Sequence, residues 1–444
     1  MALSQIADFI VSARPPDEAR ARAATAFADT IGVTLAGAAE PAARIVRETI
    51  AEPGGSCRIF GTEARASAGA AALANGTAAH ALDFDDMCFV SLAHPSAPLV
   101  PAILAAAEIG GASGRDVLDA YVIGFEIEAR FGRTMNPRHY EKGWHCTSTL
   151  GTIGAAAAVS RLVGADESAA AHAVGIAASM ASGLKENFGS MVKPLHAGTA
   201  ARNGLLAALL ARRGLTASGS VLEGRQGLLA AMDSQRPSLE PETADLGERW
   251  EIVGTGITVK LYPSCAGTHP ALDAVLDLRR EHALEAAGVE AVRVEVDRIT
   301  PTILLYERPT TGLEGKFSMS FCVAAALAHG RVDIGTFEPA GLEDPATTRF
   351  LPRVTMRVDP AFDTGAPALT RARVHITLRN GRTITRDANG ARGYPERPVS
   401  EDELRQKFMS CAQRSMSETV AESTWQKLRR IEDLPDVRET LTTL

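Results

Sequence analysis

The feature that most constrains this chain is a change in the spacing of its apolar residues, which occurs twice. From about residue 17 to residue 247, apolar residues recur at steps of three and four, the spacing of helices that bury one face. Between about 257 and 394 the spacing becomes the two-residue alternation of half-buried strands, and after Pro395 the helical spacing returns. The sequence therefore predicts a mainly α fold, with a smaller α+β domain inserted into a large all-helical domain.

The two changes of spacing also predict the domain boundaries. Residues 1–256 and 395–444 are expected to form the helical domain together, and residues 257–394 the α+β domain. A chain of 444 residues is long enough for two or three domains with sizeable cores, at roughly 100–200 residues each. Because an insertion leaves both parts of its host to complete one core, we expect the two ends of the chain to pack against each other.

Alternating valine-rich runs predict the strands of the α+β domain. They lie at 292–296, 354–358 and 374–378, and the last run leads into Asn380-Gly381, a dipeptide typical of tight β-hairpins. Apolar residues at helical spacing predict the principal helices at about 95–108, 147–162, 194–214, 269–282 and 318–329.

Small residues and capping residues refine these helices. Gly151 and Gly154 give the predicted helix at 147–162 a narrow face that suits close packing against a neighbour. Asp166 is expected to cap the start of the helix that follows it. Ser400 and Glu403 have the spacing of a capping box, which predicts a further helix after the strand region.

Charge and composition exclude several classes of protein. The formal net charge of −7 gives no overall basic surface for nucleic acid or an anionic membrane. The longest apolar runs end well short of the ~20 residues that span a bilayer, and Asp8 interrupts the N-terminal apolar run, so we expect no membrane anchor and no secretory signal. The six cysteines contain no C-x-x-C pair, which favours reduced thiols in a cytoplasmic protein.

Four basic residues stand where helices are predicted to begin. His94, Lys193 and His269 each come directly before a proline, a residue favoured in the first turn of a helix, and His145 comes just before another predicted helix. The positive end of a helix binds carboxylates or phosphates and lowers the pKa of a nearby base, which suits proton transfer near neutral pH. Together the four residues suggest a pocket for a small polyanion. The alternative is that each proline only starts a helix and each histidine is a structural hydrogen-bonding residue.

A carboxylate cluster, Asp83-Phe84-Asp85-Asp86, ends eight residues before His94. An aspartate beside a histidine can orient the ring or act as a base, whereas the alternative is a solvated loop or a helix cap. Spacings such as H-x-x-x-H are absent here, which makes a metal site the weaker interpretation. The phosphate-loop, dinucleotide and G-x-S-x-G patterns are also absent, so the sequence implies no nucleotide cofactor.

Five segments, spread along nearly the whole chain, form the most specific pattern in the sequence. They are residues 83–100, DFDDMCFVSLAHPSAPLV; residues 143–158, GWHCTSTLGTIGAAAA; residues 191–208, MVKPLHAGTAARNGLLAA; residues 260–273, KLYPSCAGTHPALD; and residues 312–330, GLEGKFSMSFCVAAALAHG. In this order and at these separations the chain resembles the MmgE/PrpD family, which includes 2-methylcitrate dehydratase, cis-aconitate decarboxylase and iminodisuccinate epimerase.

The resemblance implies a helical domain built from both ends of the chain, a smaller α+β lid domain, a homodimer, and an active site in the cleft between the domains with no metal and no organic cofactor. The family's catalytic positions correspond to Asp83, His94, His145, Lys193 and His269. Its substrate-binding positions correspond to Met87, His196 and Phe321. Because Met87 and Phe321 replace hydroxyl-bearing residues that relatives often carry, we expect that neither 2-methylcitrate nor cis-aconitate is the best substrate.

The chemistry shared by the family is the removal or return of a proton at a carbon next to a carboxylate. Negative charge builds up in such a reaction, and Lys193 and the imidazoles can stabilise it. The resemblance therefore predicts an enzyme acting on a small di- or tricarboxylate, first of all a lyase, either a dehydratase or a decarboxylase. An isomerase or epimerase of a dicarboxylate is the second hypothesis, and a carboxylate-binding dimer without turnover is the third.

Overall fold

The computed structural model describes residues 2–50, 54–365, 367–442 and 444. The chain is 58% helical, which confirms the predicted mainly α fold class. It divides into two compact units, which we call the helical unit and the α+β unit. The helical unit contains Met1–Glu186, Val192–Val259 and Ser400–Leu444, and the α+β unit contains Asn187–Met191 and Lys260–Val399. That these units are domains with the boundaries given above stays a prediction.

Most of the chain lies in α-helices joined by short turns. The α-helices are, in chain order, α1 (Ala2–Ser12), α2 (Asp17–Gly37), α3 (Pro41–Ile50), α4 (Ala68–Ala81), α5 (Ser96–Gly110), α6 (Gly114–Met135), α7 (Arg138–Glu141), α8 (Cys146–Leu162), α9 (Glu167–Met180), α10 (Val192–Arg212), α11 (Leu228–Ala231), α12 (Glu240–Thr243), α13 (Glu251–Gly254), α14 (His269–Glu281), α15 (Gly312–Gly315), α16 (Met319–His329), α17 (Pro339–Leu342), α18 (Pro345–Phe350), α19 (Glu401–Ala412), α20 (Glu418–Arg429) and α21 (Arg438–Leu441). The strands are β1 (Cys57–Arg58), β2 (Arg65–Ala66), β3 (Val289–Val296), β4 (Val354–Val358), β5 (Arg371–Leu378) and β6 (Thr383–Asn389). Every helix among the described residues is too short or too polar to cross a lipid bilayer.

The central helices of the helical unit approach one another closely at glycines. α4 and α10 meet at Gly76 and Gly198, where a Cβ atom on Gly198 would lie 2.2 Å from the Leu73 carbonyl oxygen. α8 packs against α6 in the same way, because a Cβ atom on Gly154 would lie 2.9 Å from the Gly124 carbonyl oxygen. Larger side chains at these positions would push the helices apart. The close packing predicted for this face of α8 is confirmed.

The C-terminal helices complete the core of the helical unit. α19 packs against α2, where a Cβ atom on Gly32 would lie 2.9 Å from the Phe408 ring. The buried Lys407 ammonium lies 2.6 Å from Asp29 Oδ1 and donates a 2.8 Å hydrogen bond to the Phe84 carbonyl oxygen. The two ends of the chain therefore share one core, and the C-terminal part also holds the segment between α4 and α5. The helical unit also contains the two-residue antiparallel ladder of β1 and β2, so it is not purely helical.

The α+β unit is built on a four-stranded sheet in the order β4-β3-β5-β6. β3 is parallel to β4 and antiparallel to β5, and β5 is antiparallel to β6. The buried residues Val292, Val294 and Val296 alternate along β3, as the sequence pattern predicts. Gly381 closes the β5–β6 hairpin with φ = 85°, a backbone conformation that favours glycine. α14 packs on β5 and β6, and α16 packs on β4.

The five principal helices begin and end within two residues of the predicted positions. The Asp166 side chain accepts a 2.8 Å hydrogen bond from the Ala169 amide, which confirms the predicted cap of α9, and the capping box of α19 is also present. One difference matters for the site. α10 begins at Val192, so Lys193 lies inside the first turn of the helix rather than before it, because a helix accepts proline within its first turn.

Candidate active site

The segment 82–95 joins α4 to α5 and carries most of the predicted acidic residues. Asp83 has φ = 50°, in the left-handed region, which aspartate tolerates better than most residues. Met87 pairs with Thr258 through backbone hydrogen bonds of 2.9 and 2.8 Å. The His94 amide donates a 3.0 Å hydrogen bond to Thr147 Oγ1, at the start of α8. These contacts hold the backbone of the segment, and its acidic side chains are buried.

Lys193, Asp83 and His94 form one row of polar groups. The Lys193 ammonium donates a 3.1 Å hydrogen bond to Asp83 Oδ1, and the same oxygen lies 3.7 Å from His94 Nε2. The three side chains are at most 10% exposed. Lys193 and Asp83 are 110 residues apart in sequence, and the close approach of α4 and α10 at Gly76 and Gly198 brings them together.

Asp85 lies between two imidazole rings. Its Oδ2 atom is 2.8 Å from His80 Nδ1 and 3.2 Å from His94 Nδ1. The two rings pack edge to face, with centroids 4.5 Å apart. Burial alone would raise the pKa of Asp85, but the imidazoles of His80 and His94 outweigh burial and hold this pKa well below its usual range. Asp85 is therefore a carboxylate at neutral pH.

His145 and His196 form a second histidine pair. His145 caps α8, and its Nδ1 atom lies 3.0 Å from His196 Nδ1, so one ring donates a hydrogen bond to the other. The His145 ring also stacks on His80, with centroids 5.7 Å apart. Gly183 has φ = 125°, and a Cβ atom there would lie 2.8 Å from Ser148 Cβ. Glycine is therefore required beside this pair.

Three of these imidazoles are neutral at pH 7. Burial lowers the pKa of His80 to about 3 and that of His196 to about 4, and the Lys193 charge acts in the same direction on both. Burial, and then Lys193, lowers the pKa of His145 well below its usual range. A neutral imidazole can accept a proton at one nitrogen while it donates from the other, so these rings can act as bases.

Asp86 differs sharply from its neighbour Asp85. It accepts hydrogen bonds from the amide and hydroxyl of Ser96, and that hydroxyl lies 2.6 Å from the Tyr121 hydroxyl. Burial, together with the nearby carboxylates of Asp29 and Asp85, raises the pKa of Asp86 to about 8. Asp86 is therefore mostly protonated at pH 7, where Asp85 is charged.

Glu128 on α6 is a further buried carboxyl group. Its side-chain oxygens have no hydrogen-bond partner among the described residues. Burial, and then the Asp86 carboxylate, raises the pKa of Glu128 well above its usual range. It lies against α8, because Cβ atoms built on Gly151 and Gly154 would be 3.7 and 3.3 Å from its Oε2 atom. Glu128 is therefore held in its neutral form within the core.

The cluster also contains a set of atoms that resembles a metal site. Ligand atoms of His80, Asp83, Asp85 and His94 lie within 4.8 Å of one another. However, the Lys193 ammonium is already bound to Asp83 and would repel a second cation. The arrangement favours proton transfer over metal binding, and the expectation that the site needs no metal stays a prediction.

His269 lies in the α+β unit, as the first residue of α14. It is completely buried, and its Nε2 atom lies 3.1 Å from the Ser264 carbonyl oxygen. A carbonyl oxygen only accepts, so Nε2 carries the proton and Nδ1 is the nitrogen able to accept one. Tyr262 packs against the His269 ring at a centroid distance of 5.2 Å, and its hydroxyl donates a 2.6 Å hydrogen bond to Asp273. This network fixes the orientation of the ring.

Met87 and Phe321, the two positions without the expected hydroxyls, are both buried. Met87 is 4% exposed and Phe321 is 1% exposed. Phe321 lies in the first turn of α16 and packs against Phe337, with ring centroids 5.8 Å apart. The role of both residues in substrate choice stays a prediction.

The helical unit brings together most of the residues singled out in the sequence. They are Asp83, His94, His145, Lys193 and His196. His269 and Phe321 lie in the α+β unit. Sequence analysis missed His80, although a histidine that ends the alanine-rich helix α4 and stands five residues before Asp85 is an identifiable signal. The resulting group of one ammonium, buried carboxylates and neutral imidazoles can bind a carboxylate and move a proton.

Comparison with known proteins agrees with this chemistry. A family model described as the MmgE/PrpD N-terminal domain matches residues 4–240, and one described as the MmgE/PrpD C-terminal domain matches residues 262–433. The chain is 30% identical to the cis-aconitate decarboxylase-like protein oryM of Aspergillus oryzae, over 97% of this chain and 93% of that protein. It is 30% identical to the cis-aconitate decarboxylase of Homo sapiens, over 84% and 78%, and 29% identical to that of Aspergillus terreus, over 94% and 89%. Since both parts of the family pattern occur in order and cover most of its length, this chain belongs to the MmgE/PrpD family.

Proposed function

We propose that this enzyme is a lyase that breaks a bond next to a carboxylate in a tricarboxylate related to cis-aconitate. The observation that carries the proposal is the buried row of Lys193, Asp83 and His94, in which a positive charge adjoins groups able to move a proton. Relatives named as cis-aconitate decarboxylases match most of the chain, which confirms the predicted lyase class. Among lyases, these relatives favour a decarboxylase over a dehydratase.

The proposed reaction uses two kinds of group. In a decarboxylation the carbon–carbon bond to one carboxylate breaks, CO2 leaves, and the electron pair left on the substrate takes a proton from an acid of the site. Lys193 binds a substrate carboxylate and stabilises the negative charge that develops. His145 and His196, neutral and hydrogen-bonded to each other, accept and relay protons within the site. Asp83 orients Lys193 and His94.

His269 is proposed as a further catalytic residue, with Nδ1 as its reacting nitrogen. Met87, His196 and Phe321 are proposed to bind the substrate. The side chains of Met87 and Phe321 offer no hydrogen bond. A substrate hydroxyl or carboxyl group buried against them would therefore weaken the free energy of binding by about 1–3 kcal/mol. We therefore propose that the best substrate is a tricarboxylate other than cis-aconitate or 2-methylcitrate, with an apolar group facing these positions.

The proposal includes the setting in which the enzyme works. It is a homodimer in the cytoplasm, and it needs neither a metal nor an organic cofactor. The net charge of −7 supports the expectation that neither nucleic acid nor an anionic membrane surface is a partner. Sedimentation of the purified protein, and assays after treatment with a chelator, test the dimer and the independence from metal.

The decisive experiment is a screen of citrate-, aconitate- and aspartate-like acids in deuterated water, followed by NMR. We expect one tricarboxylate to lose CO2 or water, with solvent deuterium on the carbon of a decarboxylated product. Deuterium exchange with inversion and no loss of a group would instead identify an epimerase. Binding without exchange would identify a carboxylate-binding protein. The Lys193→Ala variant, assayed in parallel, is the matched control for a contaminating activity.

A further inference from the structure

We infer that Asp85 is a positioning residue that holds the His94 ring in place and keeps it doubly protonated, while His80 fixes Asp85 from its other side. This inference rests on the proposed function, because it gives His94 the part of a proton donor in that reaction. Neither Asp85 nor His80 needs to touch the substrate for this role.

The geometry around Asp85 carries the inference. A single oxygen, Asp85 Oδ2, faces the Nδ1 atoms of two rings, at 2.8 Å from His80 and 3.2 Å from His94. An ionised carboxylate only accepts hydrogen bonds, so the bonded His80 Nδ1 carries a proton, and the same negative charge favours a proton on His94 Nδ1. The remaining nitrogen of His94, Nε2, lies 3.7 Å from a second carboxylate, that of Asp83. His94 therefore has an acidic group on each side, an arrangement that favours a proton on both nitrogens.

The balance of charge shows which of the two rings is protonated. The Asp85 side chain is completely buried, and a carboxylate in that position needs a positive partner. Lys193 is bound to Asp83, so the positive partner of Asp85 has to be an imidazole. His80 Nε2 has no hydrogen-bond partner among the described residues, so a second proton there would have no acceptor. The positive charge therefore belongs on His94, and His80 contributes a neutral N–H donor.

Charged and titratable groups surround His94 from several elements. They are Asp83 and Asp85 on its own segment, His80 on α4, His145 on α8 and Lys193 on α10. Lys193 and a protonated His145 would oppose a charge on His94. The Lys193 charge is offset by Asp83 at 3.1 Å, and His145 is neutral near pH 7. With the charges of Lys193 and Asp83 offsetting each other, Asp85 determines the protonation of His94.

The proton transferred in this way can be followed through the proposed decarboxylation. The carbon–carbon bond breaks, CO2 leaves, and the electron pair on the substrate carbon forms a new C–H bond with the proton of His94 Nε2. The electrons of the broken N–H bond stay on the ring, which becomes neutral. Before the next turnover His94 regains a proton from water, and the negative charge of Asp85 favours that return.

The test compares two adjacent, equally buried carboxyl groups. Titration of ¹⁵N-histidine-labelled enzyme by NMR, with His94→Gln to assign the signal, measures the pKa of His94 directly. We expect a pKa above the usual value of about 6.5 in the wild-type enzyme. Asp85→Asn should lower it by roughly 1–3 units, because a neutral amide replaces the adjacent charge. Asp86→Asn is the matched control and should change the pKa of His94 much less, because Asp86 is mostly protonated at pH 7.

Kinetics provide the second measurement. In Asp85→Asn the alkaline limb of the kcat profile should move to lower pH by the same interval, so that kcat at pH 8 falls roughly tenfold to a thousandfold while KM stays within a fewfold. His80→Asn keeps an N–H group where Nδ1 stands and should retain most of the activity. His80→Ala removes that group and should lower kcat with little change in KM.

The possible outcomes separate this inference from the proposed function. A His94 that is neutral at pH 7 in the wild-type enzyme overturns the inference, and this measurement needs no variant to fold. An equal effect of Asp85→Asn and Asp86→Asn on the pKa of His94 also overturns it. If no tricarboxylate is turned over, the proposed function fails, whereas the NMR titration still decides the protonation of His94.

Discussion

The helical unit and the α+β unit both pair histidines with carboxylates, but the described pairs differ in how far they are removed from water. Asp85 is 0% exposed between His80 and His94. In the α+β unit, His329 Nε2 lies 2.9 Å from Asp344 Oδ2, with side chains that are 42% and 26% exposed. Water screens the second pair, which is worth at most about 1 kcal/mol. Burial of charge, rather than pairing as such, therefore distinguishes the candidate site of the helical unit from this surface pair.

The largest expected effect comes from breaking a buried ion pair in the helical unit. Lys407→Met leaves the Asp29 carboxylate in the core without its ammonium partner, and we expect a loss of about 3–5 kcal/mol in the free energy of unfolding. Glu281→Gln breaks the exposed pair with Arg386 in the α+β unit and should cost far less, because water screens that pair. Urea unfolding measures both. Equal losses would contradict the contrast between the units.

The next effect tests whether both units take part in the chemistry. Lys193→Ala and His269→Ala should each lower kcat/KM roughly 10- to 150-fold, the worth of about 1.5–3 kcal/mol for a lost charge-assisted hydrogen bond, with the fold retained. Lys427→Ala, on the last turn of α20, is the control and should keep full activity. Unchanged activity in His269→Ala would assign the chemistry to the helical unit alone.

A third effect concerns the pH dependence of stability. Glu128 is neutral in the folded protein, whereas in the unfolded chain it ionises above its usual pKa of 4.5. Above that pH the unfolded state holds fewer protons than the folded state, so the stability of the protein falls as pH rises. The folding equilibrium constant decreases by up to tenfold per pH unit, until the pH reaches the raised pKa of Glu128 in the folded protein.

Glu128→Gln removes this dependence and should make the protein more stable at pH 7 and 8 but not at pH 4. Urea unfolding at each pH measures the change. Glu290→Gln, at an exposed position on β3, should leave the slope of stability against pH unaltered. The same slope in wild type and Glu128→Gln would show that the buried carboxyl is ionised.

The smallest effect concerns substrate choice, with one position in each unit. Met87→Thr and Phe321→Tyr introduce the hydroxyls that the family resemblance leads us to expect, and each should raise kcat/KM on cis-aconitate about 2- to 12-fold, the worth of one net hydrogen bond of about 0.5–1.5 kcal/mol. Assays of the wild-type enzyme and of both variants on cis-aconitate and 2-methylcitrate measure the change in kcat/KM. A wild-type kcat/KM in the usual enzymatic range of about 10⁴–10⁸ M⁻¹s⁻¹ on either acid would show that the hydroxyls are dispensable.

The fold could be predicted from sequence because it depends on local patterns. A few neighbouring residues determine the backbone conformation of a strand or a turn. Examples are the alternation of Val292, Val294 and Val296 and the Asn380-Gly381 turn. The return of helical spacing after Pro395 likewise marks where the chain leaves the sheet. Such patterns can be recognised in the sequence without knowing which helices and strands contact one another.

The candidate site could be predicted only in part, because its properties arise from contacts between distant segments. The resemblance identified Asp83 and Lys193, but their pairing depends on the glycine contact between α4 and α10. His80 lies in the alanine-rich helix α4, and its contact with Asp85 reveals its part in the site. Nothing local separates Asp85 from Asp86, yet one is charged and the other is mostly protonated at pH 7, because two imidazoles adjoin Asp85, whereas burial and nearby carboxylates dominate at Asp86.

The hydrogen bond from Lys407 to the Phe84 carbonyl oxygen has a consequence for how the protein is made. The segment that bears Asp83 and Asp85 leaves the ribosome early, whereas the lysine that secures it follows more than three hundred residues later. At about 5–20 residues per second, the delay is on the order of 15–65 s. A nascent chain thus lacks this contact with its acidic segment for most of its synthesis, and we expect a product that stops short of Lys407 to be inert even when every proposed catalytic residue has been made.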